Sequence, residues 1–166
     1  MGYTMYWRQP VGELDKGAWK RFSWQAKVLC NDFGIETGHK IMGSGGEGAP
    51  VFSDEQIIFN GEGADGLEDF ILQRVIVDSP KRYRDYPDGR HFDFCKTCHL
   101  PYDLVVKAVL MLYKAYFGDV VKVTTDDGGK GYVREWDGAK VFLGRRLGAE
   151  VSLTWSGREL VGVDCR

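Results

Sequence analysis

The chain has 166 residues, 43% hydrophobic and 13% aromatic, with 22 basic side chains against 24 acidic ones. That length suits one domain, the apolar content excludes disorder across the whole chain, and folding at this size is expected to bury about 70% of the unfolded surface. The near-balance of charge argues against a dedicated nucleic-acid surface, which shows a basic excess.

The densest basic runs, Lys81-Arg82-Tyr83-Arg84 and Arg145-Arg146, read as solvated surface. No membrane partner is expected, because no segment reaches ~18 consecutive apolar residues. The opening MGYTMYWRQP lacks the basic region and apolar run of a signal peptide. Tyr6 stands where a myristoylation signal needs Ser or Thr. A cytoplasmic protein with reduced thiols follows as the expectation. Of the four cysteines, Cys30, Cys95, Cys98 and Cys165, the first lies on an expected buried helix face and reads as a small hydrophobe.

Residues 2–8 (GYTMYWR) suit a strand. Trp19, Phe22, Ala26, Leu29, Cys30 and Phe33 then recur at helical spacing, with Asp15 as N-cap and Gly34 as terminator. Residues 42–50 (MGSGGEGAP) hold four glycines in nine positions; they read as a flexible loop, because the phosphate-loop pattern and its following helix are missing. Strands are predicted at 55–60 and 68–77, antiparallel to each other. An exposed loop follows over 78–91. Phe92 and Phe94 suggest a brief extended segment with both rings turned inward.

The clearest element is 101–117 (PYDLVVKAVLMLYKAYF). Pro101 suits a first helical position, Asp103 sits where negative charge is favoured, and Gly118 can terminate the helix. Apolar residues surround it apart from Lys107 and Lys114, so it reads as central and largely buried. A strand at 120–125, a turn from Asp126, a weaker helix at 132–147 and a hairpin of 151–155 with 159–163 complete the chain. The order β-α-β-β-α-β predicts an α+β two-layer sandwich with a ferredoxin-like core, extended by a C-terminal helix and hairpin, over residues 1–166 as one domain.

Cys95-Lys96-Thr97-Cys98-His99 matches the C-x-x-C-H haem-attachment pattern. We set that reading aside because such attachment belongs to exported proteins. Zinc would need a fourth ligand from elsewhere, and a redox role would call for a thioredoxin-like context. No metal and no cofactor is therefore expected. Lys96 and Thr97 instead precede the start of the long helix, whose unpaired N–H groups and partial positive charge favour an anion. Asn60, Asp65 and Glu68 belong to a polar run with three glycines at a strand end; they can hold polar ligand edges or form a turn. Asp126 and Asp127 follow the last core strand, where ligands gather in open sheets.

Four runs together, Met1 to Trp7, Phe59 to Phe70, Phe92 to Asp103 and Val123 to Gly128, resemble a protein family of phages and bacteria that opens MGYTHYW and carries an FDFCKTARKPYD-like motif. The resemblance covers roughly residues 1–128 and implies membership without implying an activity. Met5 and Leu67 stand where the family carries histidine, and His99-Leu100 replaces its basic pair before proline. Metal or proton chemistry resting on those histidines is thereby put in doubt for this chain.

The expected function is non-enzymatic binding of a small anionic, nucleotide-like molecule. Lys96, Thr97 and the helix start would hold phosphate. Asn60, Asp65, Glu68, Asp103 and Asp126 would contribute polar edges, and Tyr3, Tyr6 or Tyr102 would stack. A phage source would give sequestration of a host signalling nucleotide, an anti-defence role. The alternatives are a nucleotide-processing hydrolase using Asp65, Glu68 or Asp126, and a protein-interaction module in which the polar cluster is internal. In the last case Trp136, Trp155 and the apolar tail would form a homo-oligomer face.

Overall fold

The aromatic-rich start of the chain forms β1 (Thr4–Gln9), whose alternation buries Met5, Trp7 and Gln9 and turns Tyr6 and Arg8 the other way. A computed structural model describes residues 3–77, 88–126 and 133–166 of the chain. The basic run at 81–84 and the turn residues from Asp127 lie outside the described residues.

The first helix, α1 (Lys16–Thr37), starts where expected: Asp15 caps it by accepting from the Ala18 N–H at 2.8 Å. It does not end at Gly34. The turn after Gly34 stays helical, and Gly38 (φ 76°) takes the left-handed position, its N–H returning to the Gly34 carbonyl. Tertiary contacts accompany the extension, for Glu36 in that last turn pairs with both Arg145 and Arg146.

After the short β2 (Gly12–Glu13), the short strands β3 (Ile41–Met42) and β4 (Val51–Phe52) both pair with the longer β5 (Gln56–Gly61), which forms the expected antiparallel hairpin with β6 (Phe70–Gln73). The strand predicted over 68–77 breaks at Arg74. That residue is buried; its N–H donates to the Glu55 carbonyl, its carbonyl accepts from Leu14, and its guanidinium binds the Asp54 carbonyl at 2.8 Å. Beyond the break, β7 (Val75–Ile76) leaves β5 and pairs with β2.

The main sheet has the order β10-β11-β9-β1-β8, with β8 (His91–Lys96), β9 (Lys122–Thr125), β10 (Val151–Ser156) and β11 (Glu159–Cys165). Helices α1, α2 (Asp103–Phe117) and α3 (Asp137–Leu147) contribute to a core shared with Met5, Trp7, Cys95, Val123 and Leu160 of this sheet. The α+β class is therefore as expected. The ferredoxin-like detail is not confirmed: β5 and β6, two strands of the expected core, pair in a separate sheet, while the main sheet takes in β10 and β11; every strand pair among the described residues is antiparallel. Within the main sheet β8, α2 and β9 do form a split βαβ unit, because β1 lies between the two strands and runs antiparallel to both.

The direction of Phe92 and Phe94 also differs from expectation. Pairing of β8 with β1 sets Phe94 opposite Tyr6 and Cys95 opposite Met5. Cys95 is therefore buried, whereas Phe94 is 40% exposed. A period of two fixes only that neighbours point apart; the partner strand decides which set faces the core.

Helix α2 is buried nearly all round, and both its lysines are buried too. The Lys114 ammonium donates to the carbonyls of Gly118 and Val121 at 2.9 and 3.1 Å, closing the helix on its own C-terminal end. Asp103, rather than Pro101, opens the regular helix. Helix α3 follows a single 3-10 turn, Val133–Trp136, and so begins later than the 132 expected.

Candidate functional site

The candidate residues converge on one end of β1 and β8, beside the start of α2. Register pairs Thr4 with Lys96 and Tyr6 with Phe94. From the β5–β6 side, Glu68 reaches the same place: its carboxylate accepts from the Lys96 backbone N–H at 2.7 Å, and its carbonyl accepts from the Tyr102 hydroxyl at 2.8 Å. The turn after β5 and the start of α2 are thus joined, as the expected site requires.

Most of the candidates have partners within the protein. Thr97 is fully buried and donates its hydroxyl to Asp103. Asp103 also pairs with Lys107 at 2.5 Å, four residues along α2. The Lys107 ammonium lies 4.6 Å from the centre of the Tyr3 ring and donates to the Glu135 carbonyl at 2.9 Å. The Tyr3 hydroxyl in turn accepts from Thr125 and from the Trp136 indole, and its ring stacks on His99 at 4.1 Å. Cys98 and His99 hold positive φ (49° and 57°), a conformation uncommon for residues with a Cβ. The C-x-x-C-H run is therefore a tight turn, pinned by the Tyr3 carbonyl accepting from the N–H groups of both Thr97 and Cys98.

The two cysteines of that run differ sharply. Cys95 is buried between the Glu68 carbonyl and the Tyr102 hydroxyl, and burial pushes its thiol up to about 12. Such a group stays a protonated thiol at neutral pH and is a poor nucleophile or metal ligand. Cys98 is half-buried, and all four cysteines are free. Among the described residues no group of three or more His, Cys, Asp or Glu side chains is placed to hold a metal. No helix among them is long and apolar enough to cross a membrane.

Asn60 is the hub of the neighbouring loops. Its amide donates to the Leu67 carbonyl and to Asp69, and its carbonyl accepts from the N–H groups of Gly61 and Leu67. Asp69 also accepts from the Ser44 hydroxyl and the Gly45 N–H. The glycine run is thereby tied down rather than left as an open loop. Space explains two of the glycines. A Cβ on Gly46 would stand 2.7 Å from the Gly61 carbonyl, and one on Gly66 would stand 2.2 Å from the Asn60 side chain. Asp65 pairs with His39 at 2.9 Å.

The opposite face of the sheet carries a different surface. Tyr6 and Phe94 lie side by side with ring centres 6.4 Å apart, and Phe92 stacks on Tyr6 at 5.8 Å. The Tyr6 hydroxyl donates to Asp126 at 2.7 Å, and the Thr4 N–H donates to the other oxygen of that carboxylate. Burial and Asp126 push the Tyr6 hydroxyl above its usual range, while the charge of Arg158 pulls it back. Lys96, two residues past Phe94 on the same face of β8, is exposed, as is Arg158, whose charge reaches the Tyr6 hydroxyl. Phe94, Arg158 and Lys107 were not anticipated from sequence. The i, i+4 spacing of Asp103 and Lys107 was the available signal for the buried pair; Phe94 could be found only by knowing the strand pairing. Compared with family models, curated proteins and solved structures, the chain matches none.

Proposed function

We propose that the chain binds a small anionic, nucleotide-like ligand without turning it over, on the open face of the main sheet. The carrying observation is the cross-strand pair Tyr6 and Phe94, two aromatic rings presented away from the core with Lys96 two residues further along the same face. A planar base gains about 1–3 kcal/mol from each aromatic side chain it stacks on. An ammonium and a guanidinium at the edge of that platform suit phosphate. Asp126, fixed by Thr4 and Tyr6, offers carboxylate oxygens to base N–H groups. Tyr6, Phe94, Lys96 and Asp126 are then the ligand contacts. Thr97, Tyr102, Asp103 and Glu68 hold the β8–α2 corner that presents them, and Asn60 ties the loop that carries Glu68. Tight binding without reaction is sequestration, the role that the phage-like resemblance suggests.

The test is a thermal-shift and fluorescence titration against a panel of mono-, di- and cyclic nucleotides. A raised melting temperature with at least one of them is expected, lost in Phe94→Ala and weakened about tenfold in Lys96→Ala. No shift with any nucleotide, or an unchanged shift in Phe94→Ala, refutes the reading. Consumption of the bound nucleotide would assign the site to a hydrolase instead.

A further inference from the structure

The two edges of the main sheet are treated differently. On the β8 edge, the Lys96 N–H is occupied by the Glu68 carboxylate, and the strand carries His91, Asp93 and Lys96. Charges and capping of this kind are how a sheet edge is kept from pairing with another chain. On the other edge, β10 pairs, among the described residues, with β11 alone. Its sequence, Val-Ser-Leu-Thr-Trp-Ser, has no charge and no proline.

The hydrogen-bond phase of that free edge can be read from its start. Glu150 and Arg166 exchange both backbone hydrogen bonds, at 2.7 and 2.9 Å. In an antiparallel ladder such pairs alternate with pairs that make no bond to each other. Ser152, opposite Asp164, and Thr154, opposite Gly162, then bond to β11. The register shifts between Thr154 and Trp155, but the extra residue, Val161, lies on β11 and β10 keeps its own alternation, so Val151, Leu153 and Trp155 point their N–H and C=O groups outward.

We propose that this edge pairs with the same edge of a second copy of the chain, antiparallel, about a two-fold axis at Leu153. Three features agree on that register. It sets Leu153 opposite its own copy and Val151 opposite Trp155, so that all the outward donors and acceptors meet outward partners. On the helical side it matches a β-branched residue with an aromatic one, and on the open side it matches Ser152 with Thr154; both are favourable cross-strand pairs. No like charges oppose each other, because the strand has none. A self-complementary strand of this kind is what a closed two-fold interface needs. Val151 also lines an open hollow of about 460 Å³ with Val141, Gly144 and Ala149 and with the charged Lys140, Arg145 and Glu150, and Val141 is 55% exposed. The second copy's Trp155 stands opposite Val151 in this register, beside that hollow.

Analytical ultracentrifugation of the full chain tests the pairing. A dimer is expected at about 100 µM. The double variant Ser152→Lys with Thr154→Lys places two lysines directly opposite on each side of the axis; Kd should rise at least about tenfold. Ser152→Lys with Thr154→Glu uses the same two positions but opposes unlike charges, and should restore the dimer. Both positions are exposed, so far-UV circular dichroism and melting should match the parent. A monomeric parent, a dimer that survives the lysine pair, or a folded Lys/Glu variant that stays monomeric would each overturn the proposal.

Discussion

The Glu68 carboxylate accepts a hydrogen bond from the backbone N–H of Lys96 at 2.7 Å, joining the turn after β5 to the edge of the main sheet across 28 residues of sequence. This contact fixes β8 where it turns into α2, and with it the position of Lys96. Glu68→Ala leaves that N–H without its acceptor. A charge-assisted bond of this sort contributes about 1.5–3 kcal/mol when sheltered and less when exposed. We expect Glu68→Ala to lower stability by about 1 kcal/mol in urea unfolding, with Glu68→Gln recovering part of the loss.

Lys107 and Asp103 form a buried ion pair against the Tyr3 ring. Removing one partner of such a pair strands a charge away from water and costs about 3–5 kcal/mol. Lys107→Met should therefore destabilise the protein by that amount in equilibrium unfolding. Restoring charge balance with Asp103→Asn in the same chain should recover a large part of it.

Gly66 packs against Asn60 so closely that a Cβ would also meet the Gly61 backbone at 2.6–2.7 Å. Gly66→Ala must shift backbone and break the Asn60 hub. Loss of about 2–4 kcal/mol is expected from its unsatisfied buried groups. Gly138→Ala, where the added Cβ meets nothing within 4 Å, is the control and should be neutral or slightly stabilising.

Two aspartates should move stability in opposite directions with pH. Burial raises Asp69, but hydrogen bonds from Ser44, Gly45 and Asn60 outweigh it and hold the carboxyl below 3.8. Its contribution is present above the unfolded value of about 3.9 and is lost as pH falls through the folded value. Burial raises Asp93 above 3.8, against the Phe94 N–H. Its contribution is present below about pH 3.9 and is lost as pH rises through the folded value. Asp69→Asn should flatten the loss of stability as pH falls below about 4, whereas Asp93→Asn should raise the urea midpoint at pH 7.

Native-state alkylation should distinguish the cysteines. Cys165 is exposed, whereas Cys30 and Cys95 are buried, and burial raises both of their thiols. At pH 8, iodoacetamide followed by peptide mass spectrometry should label Cys165 well before Cys95 or Cys30. Rapid labelling of Cys95 in the folded protein would contradict its packing against Glu68 and Tyr102.

The identities of the main elements were legible in the residues themselves. The apolar spacing from Trp19 to Phe33 marks α1, the apolar run after Pro101 marks α2, and Asp15 caps α1 as its position suggests. Such signals are local: they depend on side chains a turn or a pleat apart, and on the backbone freedom of single residues. The α+β class follows from their order.

Only the tertiary structure decided what those elements face. Tyr6 meets Asp126 across 120 residues, and the pairing of β1 with β8 sends Phe94 outward and Cys95 inward. Lys107 is buried because Asp103, the Glu135 carbonyl and the Tyr3 ring surround it. Periodicity along one segment establishes that neighbouring side chains point apart. The side that loses its water is set by partners far away in the chain, because desolvating a ring or a charge is favourable only where matching groups are brought to meet it.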